Sequence, residues 1–169
     1  MVKLIRPSLK YKNEILEFKR AFIDNSKHII PGSELLDKKD DIEEWLEYVE
    51  NNSKKESVSS DWVLTDTFMA FSKNKIVGII SLRHVLNDFL KDFGHIGFSV
   101  IPSERKKGIA TSMLGEVLKV AKNNNMTEVQ LTAEEKNIAS IKTIEKMNGK
   151  YIRSFYLENQ KINEYLIFI

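Results

Sequence analysis

The sequence predicts a mixed α/β (α+β) fold in which a mostly antiparallel sheet is flanked by helices. Three observations carry that expectation. Apolar periodicity switches between period two and helical spacing in the order β-α-α-β-β-β-α-β-α-β-β, unlike the regular alternation of a doubly wound sheet. Two strand-like runs, 67–71 and 75–82, are joined by Ser72-Lys73-Asn74, the spacing of an antiparallel hairpin. A strand-like run that stops at Pro102 gives way, through a basic turn, to a strongly amphipathic helix.

Taken in order, residues 2–6 roughly alternate and stop at Pro7, which predicts a short strand. Residues 11–25 carry Ile15, Leu16, Phe18, Phe22 and Ile23 at near-helical spacing, and 41–49 place Ile42, Trp45, Leu46 and Val49 on one helical face. Ile30-Pro31-Gly32-Ser33 between them is a turn that could line the opening of a site, and the polar stretch 51–60 is a surface loop. After the hairpin, His95 to Ile101 forms a strand. The helix over 108–122 has Ile109, Met113, Leu114, Val117, Leu118 and Ala121 on one side. A short strand follows over 128–133, then a helix over 137–147 stopped by Asn148-Gly149, then two β segments over 151–156 and 164–169.

A length of 169 residues, 42% hydrophobic and 30% charged, suits one folded domain spanning 1–169. No apolar run approaches the roughly 20 residues of a membrane span. The first residues, with Arg6 and Pro7, have no signal-peptide core, so a cytoplasmic protein is expected. With no cysteine there is no thiolate nucleophile and no Cys-based metal site, and His28, His84 and His95 lack zinc-helix spacing, so no metal is expected. A net charge of +2 argues against nucleic acid. The local basic cluster Arg105-Lys106-Lys107 points instead to a small anionic ligand.

That cluster belongs to the most informative stretch, Val100 to Ala110. A helix N-terminus leaves backbone N–H groups without partners and carries partial positive charge, so a pyrophosphate placed there gathers several donors. Gly108 has no Cβ to hold a phosphate away, and Ala110 also keeps the approach open. The stretch is neither a Walker A loop nor a dinucleotide fingerprint, since Ile109 follows Gly108 and only one glycine is present. Alone, it reads equally as a solvated basic loop capping an ordinary helix.

The stretch from His95 to Gly149 resembles the GNAT superfamily of N-acetyltransferases. Arg105-x-x-Gly108-x-Ala110 matches that superfamily's (Gln/Arg)-x-x-Gly-x-(Gly/Ala) signature, Val100-Ile101-Pro102 precedes it at the expected distance, and Asn137 to Lys142 with Glu145, Lys146 and Gly149 is similar to its second block. Arg83-His84, Asn87, Gly94 to Gly97 and Pro102 to Arg105 also resemble a bacterial subgroup of acetyltransferases with no assigned substrate. The resemblance implies that the strand ending at Val100 splays from strand 128–133 and that acetyl-CoA is the co-substrate. Its pantetheine arm would pair with the main chain of Phe98, Ser99 and Val100. The pyrophosphate would lie on Arg105, Lys106, Lys107, Gly108, Ile109, Ala110 and Thr111. Asn137 would contact the arm, cap its helix, or do both.

Direct attack of an amine on the thioester needs a base and something to stabilise the departing thiolate. His95 stands where many relatives carry a glutamate base, and it reads either as that base or as a structural histidine. His84 is a second candidate. Many relatives place a tyrosine seven positions after the asparagine, and here that residue is Ile144. Ser140, Tyr151 or Tyr156 could serve instead, or no acid at all, because a thiolate is a tolerable leaving group. Ser140 could equally bond only its own helix. Glu34, Asp37, Asp40, Asp41, Asp61 and Asp66 could give a cationic acceptor an acidic mouth, or be solvated faces and caps. Trp45 and Trp62 read as core or lid packing. The expected function is acetyl-CoA-dependent transfer to a primary amine of a small molecule or peptide, by a monomer or homodimer with no nucleic-acid or membrane partner. The alternative, motivated by Ile144, is a catalytically weak acyl-CoA-binding regulatory module.

Overall fold

The computed structural model describes residues 2–23 and 29–169. His28 and the end of the helix expected over 11–25 lie outside the described residues. The elements run β1 (Lys3–Ile5), α1 (Lys12–Ile23), α2 (Ile42–Asn52), β2 (Thr65–Ser72), β3 (Lys75–Arg83), β4 (Ile96–Val100), α3 (Ile109–Asn123), β5 (Glu128–Glu134), α4 (Ile138–Lys146), β6 (Lys150–Leu157) and β7 (Gln160–Phe168).

The helices form where the apolar spacing puts them. Ile15, Phe18 and Phe22 of α1 are buried at intervals of three and four residues. In α2, Ile42, Trp45 and Val49 do the same, behind Asp41, whose carboxylate accepts from Glu43 N. Trp45 is fully buried, and its indole N–H donates to Ser33 O at 2.9 Å and Glu34 O at 3.1 Å. It thereby ties the 29–37 loop to α2. Truncating it to alanine costs on the order of 3–5 kcal/mol.

Two antiparallel sheets result, one in the order β1-β2-β3-β4 and one in the order β5-β7-β6. The β2–β3 hairpin closes through Lys73-Asn74 and the β6–β7 hairpin through Glu158-Asn159, with both residues of each pair at positive φ, the signature of a type I′ turn. Because the second turn is so tight, β7 starts at Gln160 rather than at the expected Glu164. Neither turn contains glycine, which is why the longer strands were not legible.

The sheets meet at one place. His95 N donates to Gln130 O at 2.8 Å, and an isolated bridge joins Gly94 to Leu131. Beyond that point β4 and β5 share no ladder, so they splay toward Val100 and Glu134. The faces of the four-stranded sheet differ. Gly78 lets α3 approach closely: a Cβ there would lie 2.5 Å from the Met113 sulfur. On the opposite face Ser81 lies beside Gly97, and the 29–37 loop covers both.

Candidate active site

The splay opens into a cleft of about 530 Å3. One wall is Phe98, Ser99 and Val100, held on their inner edge by β3 and free on the other. The facing wall is the start of α4, with Asn137, Ala139 and Ser140. The floor is the turn from Glu104 to Thr111. Gly108 caps α3 at φ 78, a conformation that L side chains adopt only at a cost, and a Cβ built on it would meet nothing within 4 Å. The space before the helix N-terminus is therefore open. Ser112 N is the first helix amide to find a carbonyl, Gly108 O at 3.0 Å, which leaves the preceding first-turn amides to a ligand.

Eleven of the thirteen candidate site residues line this cleft: Phe98, Ser99, Val100, Arg105, Lys106, Gly108, Ile109, Ala110, Thr111, Asn137 and Ser140. Arg105 also donates from Nε to Val100 O at 3.1 Å, so it braces the turn against β4. Asn137 accepts from Ser140 N at 3.2 Å, which makes it a helix cap while its side chain stays on the cleft wall. The helix back-bond anticipated for Ser140 is made by Thr143, whose hydroxyl donates to Ala139 O at 2.9 Å.

Two candidates fall outside. Lys107 is not among the residues lining the cleft and pairs with Glu104 at 2.9 Å, a solvated ion pair of the kind worth little. His95 does not line the cleft either. Its Nδ1 accepts the main-chain N–H of Gln130 at 2.9 Å, so the neutral ring carries its hydrogen on Nε2 and neither nitrogen offers a lone pair to an amine. Burial and the nearby Arg83 charge hold its pKa below the usual imidazole range, so the ring stays neutral. The base role expected of His95 does not fit this geometry; the residue fastens the two sheets together.

Other expectations resolve similarly. His84 Nε2 meets Asp66 at 2.7 Å. Tyr151 and Tyr156 are exposed on β6 and line no part of the cleft, while Ile144 is buried against Gly149. Of the acidic residues, Asp41 caps α2, Asp37 accepts from Ser33, Asp61 accepts from Ser59, and Asp66 holds both Arg6 and His84. Glu34 alone is buried with an unpaired oxygen.

Residues that the sequence did not single out complete the cleft, Phe22 and Ile29 on its apolar side and Lys142 and Lys146 on α4, while Pro31 lines it from the turn between the first two helices. The lysines sit one helical turn apart on a single face, a spacing that would have signalled a basic stripe beside Asn137. Among the described residues no group of three or more His, Cys, Asp or Glu could hold a metal, and no helix is long and apolar enough to cross a membrane.

Known proteins with this architecture are numerous. An N-acetyltransferase from Staphylococcus aureus Mu50 superposes with a TM-score of 0.70 at 18% identity, covering 99% of this chain and 98% of its own. A GNAT-family acetyltransferase from Streptococcus pneumoniae gives 0.72 at 16% identity over 100% of both chains. The yncA protein of Salmonella typhimurium, solved with its cofactor acetyl-CoA, gives 0.69 at 12% identity over 99% and 93%. No curated protein matches the sequence. At such identities the structures establish the fold. The family follows from the sequence model described as the Acetyltransferase (GNAT) family, which matches residues 35–149. With more than half of its length in that match and the cleft of the fold intact, the chain belongs to the GNAT acetyltransferase family.

Proposed function

We propose that this chain is an acetyl-CoA-dependent N-acetyltransferase, moving the acetyl group to a primary amine of a small molecule or peptide by direct attack. The observation that carries the reading is the splay of β4 from β5 directly above a glycine-capped helix N-terminus. The residues present fit the co-substrate. Free amides at the start of α3 suit a pyrophosphate, the open edge of Phe98 to Val100 suits an extended amide-bearing arm, and Lys142 and Lys146 add positive charge on the facing wall. Acetyl-CoA supplies an activated thioester carbonyl. The chain's own part is to hold that carbonyl at the mouth of the splay, exclude water and receive the amine. The new C–N bond forms as the C–S bond breaks, the sulfur leaves as thiolate on the side of the Ser140 hydroxyl, and the surplus proton on nitrogen passes through solvent to that thiolate, giving amide and thiol.

In this reading residues 1–169 act as one acetyltransferase domain, in the cytoplasm, as a monomer or homodimer. The test is incubation of the purified chain with acetyl-CoA and a panel of amines, following free thiol and acylated product by mass spectrometry. Amine-dependent product is expected. Thiol release without any acylated amine contradicts it. The buried Ile144 in place of a phenol favours one other reading, a module that binds acyl-CoA without turnover, and tight binding with no product would select it.

A further inference from the structure

A second crevice lies at the opposite edge of the four-stranded sheet from the cleft, where the chain leaving β1 meets the end of α2. Its volume is about 460 Å3, and it shares no lining residue with the cleft. Arg6 and Ser8 border it from the chain after β1, Glu50, Ser53 and Lys54 from the end of α2, and Thr67 from β2.

Thr67 is the unusual member. It is 3% exposed, and its Oγ1 is buried with no hydrogen-bond partner among the described residues. Ser81 stands opposite it across β2 and β3 but does not answer it. The Ser81 hydroxyl lies toward the next strand, where a Cβ on Gly97 would meet it at 3.8 Å. A buried hydroxyl normally finds a partner, because it has given up its bonds to water. The crevice is the open space that Thr67 borders, so a partner for its hydroxyl has to come from there.

The rest of the lining selects the kind of partner, because donors outnumber acceptors. Arg6 Nη2 donates to Asp66 at 2.5 Å, and the guanidinium stands 5.1 Å from the Phe68 ring. These contacts hold the group in place and leave its other N–H donors unused among the described residues. Ser8 makes no capping bond with its hydroxyl. Lys54 Nζ donates to Glu50 Oε1 at 2.7 Å, so the one carboxylate on the crevice is already matched by a cation. The carbonyls at the end of α2 are occupied too. Glu50 O receives the Ser53 N–H at 3.1 Å and its hydroxyl at 2.7 Å, and Asn51 O receives the Ser57 hydroxyl at 2.9 Å. Two cations therefore face one carboxylate, with two uncommitted hydroxyls between them.

From this inventory we infer that the crevice is a binding site for a small oxyanion, a phosphate or carboxylate group held by the Arg6 guanidinium and by the hydroxyls of Thr67 and Ser8. A guanidinium offers parallel N–H groups that match two oxygens of such a ligand, and a guanidinium already fixed by its neighbours loses little freedom on binding. Lys54 adds charge at the rim, where solvent screens it. The site is separate from the acetyl-CoA cleft and does not depend on the acetyltransferase reading.

The experiment is a two-dimensional amide NMR titration of the full chain with inorganic phosphate, with acetate, and with chloride at matched ionic strength. The amides of Arg6, Ser8, Ser53, Lys54 and Thr67 report on the crevice. Those of Gly108 to Thr111 report separately on the donor cleft, which phosphate should also enter. Wild type should show saturable shifts in the crevice set with phosphate or acetate, at a dissociation constant on the order of 1–10 mM, and none with chloride. The tighter of the two anions names the group the site takes.

Thr67→Val keeps the branched shape and removes the donor. It should be no less stable than wild type without anion, and should weaken crevice binding by about three-fold or more while the donor-cleft shifts stay the same. Arg6→Gln should weaken crevice binding by about ten-fold or more. If that variant does not fold, Lys54→Gln takes its place, with about two-fold weakening expected at low salt. Saturable crevice shifts that these variants weaken support the site. No saturable shift in the crevice set, equal shifts with chloride, or equal affinities in wild type and Thr67→Val would overturn it.

Discussion

His95 Nδ1 accepts the main-chain N–H of Gln130 at 2.9 Å, and this bond lies where the two sheets join before they splay. A histidine at this place in the chain reads as a catalytic base only while its ring nitrogens are taken to be free. With Nδ1 occupied, its work is structural.

Replacing His95 with alanine therefore removes a part-buried hydrogen bond and costs about 1–2 kcal/mol of stability, measured by denaturant unfolding. Transfer should fall only a few-fold, with its pH profile unshifted. The folded pKa is depressed, so the unfolded chain binds the proton more readily. Wild-type stability should thus decline as pH drops from about 6.5 toward the folded value, and the alanine variant should lose that slope. A loss of activity by orders of magnitude in a folded variant contradicts the assignment.

Asp66 sets a second pH dependence. Burial pushes its carboxyl up, but hydrogen bonds from His84 and Arg6 and their charges outweigh burial and hold it below the usual range. A depressed carboxyl pKa contributes stability above the unfolded value of about 3.9 and loses it as pH falls through the folded one. Asp66→Asn should cost about 1–2 kcal/mol at pH 7 and flatten the acid limb between about pH 4 and the folded pKa, by chemical denaturation at several pH values. Parallel curves for the two proteins would count against it.

Lys142 and Lys146 should act on the donor alone. Replacing both with alanine should weaken acetyl-CoA binding by roughly ten-fold at low salt, and less at high salt, because exposed charges are screened. The amine preference should not change.

What the sequence revealed, and what it withheld, divides along the same line as these residues. The strand from Ile96, the turn to Gly108 and the helix beyond it are contiguous, so their order was legible, but spacing alone left a basic loop and only the resemblance of the stretches around it pointed to a donor cleft. Asn137 was legible for the same reason, as a cap one residue before its helix. Glu34 was one acidic residue among six, since its burial depends on Trp45 fastening the loop from α2 and on Arg83 arriving from β3. Lys107 looked equivalent to Lys106 until the turn sent it toward Glu104. The β6–β7 hairpin stayed hidden because Glu158 and Asn159 take positive φ without a glycine to announce it.

The donor site rests on the glycine-capped start of α3, and a calorimetric titration of acetyl-CoA into wild type and Gly108→Val tests it most directly. Valine at φ 78 strains the backbone by roughly 1–3 kcal/mol and fills the open space in front of the helix. The prediction is saturable binding to wild type and at least a ten-fold weaker affinity in a folded variant. Affinities within two-fold of each other would place the pyrophosphate elsewhere and contradict the account.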